Sequence, residues 1–382
     1  MPPTELLISA GEASGDMYAA RLARALHDRA DVRLFGMGGP QMREAGVETV
    51  VDSREVALVG LLEVLPKLPA IACAWRRLLA EAHRRRPPFA ILTDFPGFHV
   101  RLARRLQRLG TQNIYFVCPQ FWAWRPGRVR SVRRHFVRGL CIFPFEVKFY
   151  ADAGVPVDWI GHPLVDFVRP ALSRDQFIAR YELDPATPIV TLLPGSRTSE
   201  LAQNLPPIVE AASRLASSRP CQFVLALAPG LVKESVASHL RGSSFRIVES
   251  ATYDALAAAD VAIIASGTAT VEAALIGAPM IVVYRVAAPT ALIARRLVRA
   301  PFFAMVNLIA GRRIVPELIQ EEFTAEKVSS EVQKLLDSAE LRQQMRNDLT
   351  VVRERLGPPG AIERAADIVA GLLATNVVHA RE

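Results

Sequence analysis

Short apolar segments rich in β-branched residues alternate with helix-like segments, and this alternation constrains the fold more than any other feature of the chain. Strands that alternate with helices form parallel sheets covered by helices on both faces. The sequence therefore predicts an α/β protein with two doubly wound domains. The first series of strands covers residues 6–9, 32–35, 89–93, 114–117 and 140–143, and the second covers 189–193, 223–227, 245–248, 261–264 and 280–284.

The same pattern divides the chain into an N-terminal α/β domain over residues 1–165, a linker over 166–186, a second α/β domain over 187–345 and a helical tail over 346–382. A proline-containing stretch marks the linker, and the tail lacks strand-like segments. We expect the tail to pack back towards the N-terminal domain. Because ligands bind at the carboxyl ends of the strands in such sheets, the loops that follow strands are the candidate functional loops.

Basic residues exceed acidic ones, 46 to 38, and the excess is concentrated in one segment. Residues 76–138 contain 15 Arg, no Lys and two acids, so this segment carries a net charge of +13 and the remainder of the chain −5. The asymmetry indicates an anionic partner, either a phosphorylated lipid at an anionic membrane or a nucleic acid.

The cysteines and the apolar segments bear on the cellular setting. Four Cys lie far apart without a CxxC pair, which argues against a disulfide framework or a zinc site and favours a reducing compartment. The first residues lack the basic start and long apolar stretch of a secretion signal. The most apolar region, residues 261–284, contains Glu272, Gly277 and Pro279 and is too polar to span a membrane. We therefore expect a cytoplasmic protein whose membrane contact is peripheral.

Two loops of the N-terminal domain carry carboxylates at the ends of predicted strands. The first contains Glu12, Ser14 and Asp16 at a helix N-terminus. Because its acids would repel a phosphate, we interpret it as binding hydroxyl or amide groups of a sugar-like acceptor. The alternative for Ser14 and Asp16 is a helix cap. The second loop begins with Asp94, which we expect to be a general base kept ionised by neighbouring Arg, with an Asx-type turn before Pro96 as the alternative.

A third loop, after residues 114–117, contains Trp122, Trp124 and Arg125. Aromatic faces beside a guanidinium suit sugar rings and phosphates, so Trp122 and Arg125 are candidate acceptor-binding residues. Packing of both Trp side chains at the rim of the domain explains the same pattern equally well.

Glycines, hydroxyls and one guanidinium follow two predicted strands of the second domain, each time at the start of a helix. Backbone N–H groups, hydroxyls and a charge-assisted fork bind a diphosphate, and a carboxylate in the first turns can accept from ribose hydroxyls. A capped helix start is the alternative. The candidate nucleotide-binding residues are Gly195, Ser196, Arg197, Ser266, Gly267, Thr268 and Glu272.

Three further polar residues lie near the end of the second domain. Asn307 stands in an apolar stretch, where it must find either a ligand or backbone partners. Gln320 and Glu321 resemble the polar tail of a sugar-recognition loop, with an exposed helix end as the alternative.

Large apolar residues followed by Trp and Arg occupy residues 59–77, interrupted by two prolines. This pattern suits an interfacial membrane contact, with internal packing as the alternative. The candidate membrane-contact residues are Leu61, Leu62, Leu65, Leu68, Trp75, Arg76 and Arg77.

A series of short motifs occurs in one order between residues 5 and 325. The motifs are AGEASGD (10–16), GLLEVL (60–65), Asp94 with Pro96 and Phe98, PQFWAWR (119–125), FPFE (143–146), GHP (161–163), LPGSR (193–197), ASGT (265–268), Asn307-Leu308 with Gly311-Arg312, and QEE (320–322). In this order they resemble lipid-A-disaccharide synthase, the bacterial glycosyltransferase family that joins two acylated glucosamine units.

The resemblance implies a GT-B-like fold, with two facing Rossmann-like domains and a C-terminal helical tail. It implies UDP-2,3-diacylglucosamine as the donor, held by the C-terminal half, and 2,3-diacylglucosamine 1-phosphate (lipid X) as the acceptor, held by the N-terminal half. The reaction forms a β-1',6 bond with inversion and uses neither a metal nor a cofactor. The family works at the inner face of the cytoplasmic membrane, on anionic lipid, and its members can form homodimers by exchanging C-terminal segments.

The same matching implies roles for individual residues. Asp94 would be the base, Arg197 a diphosphate contact, and Glu12 and Asn307 polar groups of the active site. The chain also departs from the family: where familiar members have Asp-x-Pro-Asp-Phe-Asn, Gly97 and His99 replace the second acid and the Asn. Gln120 and Phe121 replace smaller residues before Trp122.

Two other functions remain open from the residues. A UDP-N-acetylglucosamine 2-epimerase or a peptidoglycan glucosaminyltransferase would share the fold and the nucleotide loops. A nucleic-acid-binding protein would share the basic segment, although the chain lacks a recognised nucleic-acid-binding motif.

Overall fold

The structure is a computed structural model that describes residues 3–56, 64–237, 239–240, 245–287, 291 and 300–379, without the side chains of residues 64–68 and 376–379. The chain forms two compact units. Unit 1 comprises Met1–Asp166 with Leu356–Glu382, and unit 2 comprises Phe167–Arg355.

The strands of the described residues, in chain order, are β1 (Thr4–Ala10), β2 (Val32–Gly38), β3 (Glu48–Asp52), β4 (Phe89–Thr93), β5 (Gln112–Phe116), β6 (Arg138–Cys141), β7 (Val157–Trp159), β8 (Ile189–Leu193), β9 (Gln222–Leu227), β10 (Phe245–Glu249), β11 (Val261–Ala265), β12 (Met280–Tyr284) and β13 (Glu317–Ile319).

The helices of the same residues are α1 (Ala13–His27), α2 (Pro40–Glu44), α3 (Ser53–Val56), α4 (Val64–Arg85), α5 (Pro96–Arg108), α6 (Phe121–Trp124), α7 (Val129–His135), α8 (Pro144–Asp152), α9 (Leu164–Phe167), α10 (Arg174–Arg180), α11 (Thr198–Ser218), α12 (Glu234–Ala237), α13 (Thr252–Ala258), α14 (Thr268–Ile276), α15 (Met305–Ala310), α16 (Ala325–Asp337), α17 (Ala339–Arg355) and α18 (Ala361–His379). Turns of 3-10 helix occur at Pro126–Arg128 and Gln320–Glu322. None of these helices has the length and apolarity needed to cross a bilayer.

Each unit contains one parallel sheet, which confirms the predicted α/β fold class. The order in unit 1 is β3-β2-β1-β4-β5-β6-β7, and in unit 2 it is β10-β9-β8-β11-β12-β13. The central strands β4, β8 and β11 are buried along their whole length. This burial explains their uninterrupted apolar sequences, because strands covered on both faces show no polar alternation.

The direction in which the chain adds strands reverses once in each sheet. In unit 1 the reversal lies between β1 and β4, and in unit 2 it lies between β8 and β11. The loops that leave the carboxyl ends of the two strands diverge at such a point and leave a crevice for ligands. The topology therefore selects two pairs of loops as candidate sites, one pair in each unit.

The C-terminal helix α18 packs against α1 within unit 1. The Asp166 carboxylate accepts the backbone N–H groups of Gly360 and Ala361, at 2.6 and 3.2 Å, and so caps the start of α18. Arg29 of the loop after α1 forms ion pairs with Glu363 at 2.5 Å and Asp367 at 2.7 Å.

The division into units differs from the expected boundaries in two places. Helix α10 falls in the expected linker, but it packs on α13, and its Arg174 pairs with Asp260 at 2.9 Å, so it is part of unit 2. Residues 346–355 fall in the expected tail, but they complete α17, where Arg355 donates to the carbonyl of Ile309 at 2.8 Å. The return to unit 1 therefore begins at Leu356.

Candidate active site

The loops after β1 and β4 bring two carboxylates to the reversal point of unit 1. The strands pair in register, with Ala10 opposite Thr93, so Glu12 and Asp94 leave the sheet side by side. Burial raises the pKa of Asp94 to about 7, and the nearby Glu12 charge contributes to the increase. The expectation that neighbouring Arg residues keep Asp94 ionised is therefore wrong, because apolar surroundings and a second acid set its pKa.

A cavity of about 250 Å³ lies beside Asp94. The Asp94 side chain is half-buried, so its carboxylate forms part of the cavity wall. Trp124 also lines the cavity, and the guanidinium groups of Arg125 and Arg128 lie over its ring, at 5.0 and 5.7 Å from the ring centre. The lining residues are Asp94, Pro96, Val117, Cys118, Gln120, Trp124, Ile142 and Phe143.

A third carboxylate, Glu146, belongs to the same region and was not among the sequence candidates. It is fully buried, accepts the Phe143 N–H and the Trp122 indole N–H, both at 3.3 Å, and burial raises its pKa to about 8. The bond to Glu146 fixes the Trp122 ring, which packs edge-on against Phe145. The signal in the sequence was the FPFE motif, in which Glu146 occupies the N3 position of α8.

The other acceptor candidates of unit 1 divide into two kinds. Asp16 is buried, and its carboxylate accepts the backbone N–H groups of Gly39, Gln41 and Met42 at 2.6 to 3.3 Å. These bonds hold the start of α2, so we no longer propose Asp16 as an acceptor ligand. Ser14 is half-buried in the first turn of α1.

The loops after β8 and β11 form the corresponding pair in unit 2. Gly195 has a φ of +138°, Ser196 is exposed, and Arg197 is half-buried. The carboxylate of Glu200 occupies this loop: one oxygen accepts the Ser196 N–H at 2.8 Å, and the other lies 3.2 Å from Arg197 Nη1. The two predicted diphosphate donors are thus held together by an acid of the same helix.

The loop after β11 presents its small residues to the surface. Gly267 and Thr268 are exposed, and the Ser266 hydroxyl donates to the Phe303 carbonyl at 3.0 Å. Glu272 lies on α14, the helix that begins at Thr268, and accepts the Tyr253 hydroxyl at 3.2 Å. Burial raises the pKa of Glu272. These residues stand beside the 195–197 loop, because β8 and β11 are neighbours in the sheet.

Asn204 fixes the 194–197 loop and was missed in the sequence. Its buried amide donates to the Pro194 carbonyl at 3.0 Å and accepts the Arg285 N–H at 2.9 Å. The only sequence signal is a polar residue on the buried face of α11.

The structure gives Asn307 a role other than the catalytic one that we expected. The residue is fully buried; its Nδ2 donates to Val315 and Glu317, and its Oδ1 accepts the N–H groups of Ile314 and Val315. Every donor and acceptor position is used within unit 2, so we remove Asn307 from the catalytic set.

Gln320 and Glu321 follow β13. The Gln320 amide bonds the backbone of Val286 in both directions, at 3.1 and 3.4 Å. Glu321 is exposed. Gln320 thus supports the segment after β12.

The expected membrane-contact residues are described only in part. Leu61 and Leu62 lie outside the described residues, as do the side chains of Leu65 and Leu68. The Trp75 ring packs on Phe98 with 5.1 Å between centres, and Arg77 pairs with Glu55 at 2.9 Å. Arg76 is exposed. Internal packing, the alternative, therefore accounts for Trp75, whereas Arg77 is exposed and has its charge paired with Glu55.

A second cavity, of about 320 Å³, lies in unit 2. It is lined by Ala259 and Pro279, which immediately precede β11 and β12, and by Arg346 and Arg353 of α17. It therefore lies at the amino edge of the sheet, opposite the reversal point, and none of the candidate residues lines it.

The lipid-A-disaccharide synthetase family (LpxB) matches residues 6–369. The chain belongs to this family. It is 44% identical to the lipid-A-disaccharide synthase of Solibacter usitatus over 98% of this chain and 99% of that one. It is 42% identical to the enzyme of Geobacter sulfurreducens, over 97% and 98% of the two chains. The protein is thus a glycosyltransferase with a role in lipid A disaccharide synthesis.

Solved structures of more distant enzymes share the fold of this chain. The UDP-GlcNAc 2-epimerase of Neisseria meningitidis, bound to UDP-GlcNAc, has a TM-score of 0.64 at 12% identity and covers 97% of this chain and 100% of that one. MurG of Acinetobacter baumannii has a TM-score of 0.57 at 14% identity, over 96% and 99%. At such identities the likeness shows the GT-B-type fold alone. Because the family match and the curated relatives all name lipid-A-disaccharide synthesis, the epimerase, peptidoglycan and nucleic-acid alternatives are not favoured.

Proposed function

We propose that the protein transfers 2,3-diacylglucosamine from its UDP donor to the 6-hydroxyl of 2,3-diacylglucosamine 1-phosphate, with inversion. The products are the β-1',6-linked disaccharide 1-phosphate and UDP. The observation that carries the proposal is the Asp94 carboxylate in the wall of the 250 Å³ cavity, with a pKa of about 7. A base with a pKa near the working pH combines a large ionised fraction with useful basicity.

In this reaction Asp94 accepts the proton of the acceptor 6-hydroxyl while the oxygen attacks the anomeric carbon. The bond between that carbon and the diphosphate breaks, and its electron pair leaves with UDP. Glu12 increases the basicity of Asp94 through its charge. Trp122, Trp124 and Arg125 are the residues we assign to the phosphorylated sugar.

Unit 2 is proposed to hold the nucleotide. Its exposed Ser196, Gly267 and Thr268 follow the neighbouring strands β8 and β11 and lie where the next helices begin. Backbone N–H groups at a helix N-terminus stabilise an anion. Arg197 adds a charged donor to the departing diphosphate. Glu272 and Glu321 are proposed to accept hydroxyls of the ribose or the sugar.

The arginine surface of unit 1 supports peripheral binding to anionic lipid. Part of the basic segment is neutralised, since Arg77, Arg84, Arg85 and Arg138 pair with acids. Within the described residues, seven exposed arginines on the packed helices α5 and α7 have no carboxylate within ion-pair distance. They are Arg101, Arg104, Arg105, Arg108, Arg130, Arg133 and Arg134. We propose this surface as the membrane contact on the inner face of the cytoplasmic membrane, testable by salt-sensitive binding to anionic vesicles.

A homodimer with exchanged C-terminal segments is a further part of the proposal. The segment from Leu356 binds unit 1 through the Asp166 cap and the Arg29 ion pairs, and the same contacts are available to a second copy. Light scattering on the purified protein tests it: a monomer at all concentrations would contradict it.

The deciding experiment supplies both lipid substrates and measures UDP release and product mass. We expect a disaccharide 1-phosphate, and we expect Asp94→Asn to reduce turnover roughly 10²- to 10⁴-fold, the usual contribution of a general base. Wild-type turnover in Asp94→Asn would remove Asp94 from this role. Transfer from UDP-N-acetylglucosamine without acyl chains would contradict the proposed donor.

A further inference from the structure

The turn that carries Asp94 has an unusual backbone. Asp94 and the next residue, Phe95, both have φ of +48°, in the left-handed region that non-glycine residues seldom occupy. Two such residues in succession are strained, and strain of this kind persists only where surrounding contacts hold it. The contacts that hold this turn therefore also fix the direction of the Asp94 side chain.

Three hydrogen bonds hold the Asp94 peptide unit. Its N–H donates to the Phe116 carbonyl at 3.0 Å, which extends the pairing of β4 with β5. Its carbonyl accepts the Tyr115 hydroxyl at 3.0 Å and His99 Nδ1 at 2.8 Å. The shorter of the two carbonyl bonds comes from His99, on the first turn of α5.

His99 connects this carbonyl to strand β1. The imidazole is fully buried, and its Nε2 lies 2.8 Å from the hydroxyl of Ser9, which is also fully buried. Because a carbonyl only accepts, Nδ1 must carry the proton, and Nε2 of the neutral ring then accepts from Ser9. Burial lowers the pKa of His99 to about 4, so the ring stays neutral at the working pH.

The same turn touches the Glu12 loop. The Phe95 ring lies over Gly11, where a Cβ atom would stand 2.3 Å from the ring, and its edge meets the His99 ring at 5.8 Å between centres. The imidazole thus lies in a chain of contacts that runs from β1 to Asp94 and from Phe95 to the loop of Glu12.

We infer that His99 is a positioning residue for the reaction: as a bridge from the Ser9 hydroxyl to the Asp94 carbonyl, it holds the left-handed turn that aims the Asp94 carboxylate into the cavity. The inference rests on the proposed role of Asp94 as the base. It assigns a use to one of the positions where this chain departs from its family's pattern.

The test compares His99→Leu, which removes both hydrogen bonds, with His99→Asn, which restores a donor. We expect His99→Leu to lower kcat roughly 10- to 100-fold, because a small misplacement of a catalytic group costs about that much. The affinity for UDP, which unit 2 is proposed to bind, should stay within twofold by calorimetry.

His99→Asn should recover most of the loss in kcat. Ser9→Ala should lower kcat roughly three- to tenfold, as expected for the loss of one neutral hydrogen bond. His135→Leu, which removes a histidine bonded to Gln107 on α5, is the matched control and should leave kcat unchanged.

A double-mutant cycle decides whether His99 acts through Asp94. In an Asp94→Asn background, measured with enzyme in excess, His99→Leu should cause no further loss of rate. An equal loss in both backgrounds, or a matching loss of UDP affinity, would show a general structural role and overturn the inference. Wild-type kcat in His99→Leu with Asp94→Asn impaired would overturn the inference alone, whereas wild-type turnover in Asp94→Asn would overturn the base assignment and the inference together.

Discussion

The loops at the two reversal points are built in opposite ways. The Asp94 turn of unit 1 is held by buried partners from strand β5 and helix α5, and its carboxylate is left to face the cavity. The 195–197 loop of unit 2 is largely at the surface, and its donors are held by Glu200 of the adjoining helix.

The difference agrees with the roles that we propose for the two loops. A base must keep one direction throughout the reaction, so its turn is fixed by groups that do not contact substrate. A diphosphate site must open to bind and release its ligand, and a carboxylate that accepts the same donors can be exchanged for the diphosphate. Changes in unit 1 should therefore alter kcat, and changes in the unit 2 loop should alter nucleotide affinity.

The largest effect on affinity is expected from Arg197→Ala. The variant removes a charged donor, so we expect the UDP dissociation constant to rise about 10- to 100-fold, the range for hydrogen bonds to charged groups. Calorimetry measures it directly. Arg214→Ala, which breaks an exposed ion pair with Glu210 on the same helix, is the control. An unchanged constant for Arg197→Ala would break the comparison, because the loop would then not bind the diphosphate.

A smaller effect, on kcat and stability but not on UDP affinity, is expected from Gly11→Ala. The new methyl group would overlap the Phe95 ring and push the Asp94 turn, so we expect kcat to fall about tenfold and stability to fall by about 1–3 kcal/mol, the usual cost of overpacking. Gly97→Ala is a control within the same turn, since nothing lies within 4 Å of a Cβ there. If both variants lowered kcat equally, the contact with Phe95 would not be what positions Asp94.

Glu200→Gln tests the exchange of carboxylate for diphosphate. The amide keeps the size of the side chain but removes the charge that competes for Arg197, so UDP affinity should increase by about fivefold. Glu210→Gln, exposed and further along α11, is the matched control. Weaker UDP binding in Glu200→Gln would mean that Glu200 assists the ligand instead of giving way to it.

The sequence predicted the central parts of the fold and the positions of the loops. Strands β4, β8 and β12 begin and end where their apolar runs do, because every residue in them is buried except Tyr284 at the end of β12. Strands β3, β7 and β13 were not predicted, since they are short and contain acids. Glu12 and Asp94 could be located because both directly follow predicted strands.

The supporting residues could not be predicted, because their partners are distant in the chain. His99 bonds a residue 90 positions away, and Asn204 one 81 positions away. The sequence left open whether Asn307 binds a ligand or backbone groups, and only the folded loop shows that four backbone and side-chain partners use it completely. A local sequence pattern shows where a strand ends, but it does not show which polar groups form hydrogen bonds with each other in the folded chain.

The pH dependence of kcat gives the smallest and most specific effect. Asp94 acts as a base only when deprotonated, so kcat should rise with pH through about 7 and level off above it. Of the groups that face Asp94, His99 stays neutral, and burial raises the pKa of Tyr115 and Cys118 so that both stay neutral. Burial also raises the pKa of Glu146.

The charge on Glu12 is therefore the one to remove. Glu12→Gln should move the rising part of the pH profile of kcat to lower pH by about half a unit, which is a roughly threefold change in rate on its acid side. A pH profile that does not move would show that burial alone sets the pKa of Asp94. A shift to higher pH would contradict the idea that the charge of Glu12 raises the pKa of Asp94. Arg197→Ala should leave the midpoint unchanged, because it acts in the other unit and on affinity.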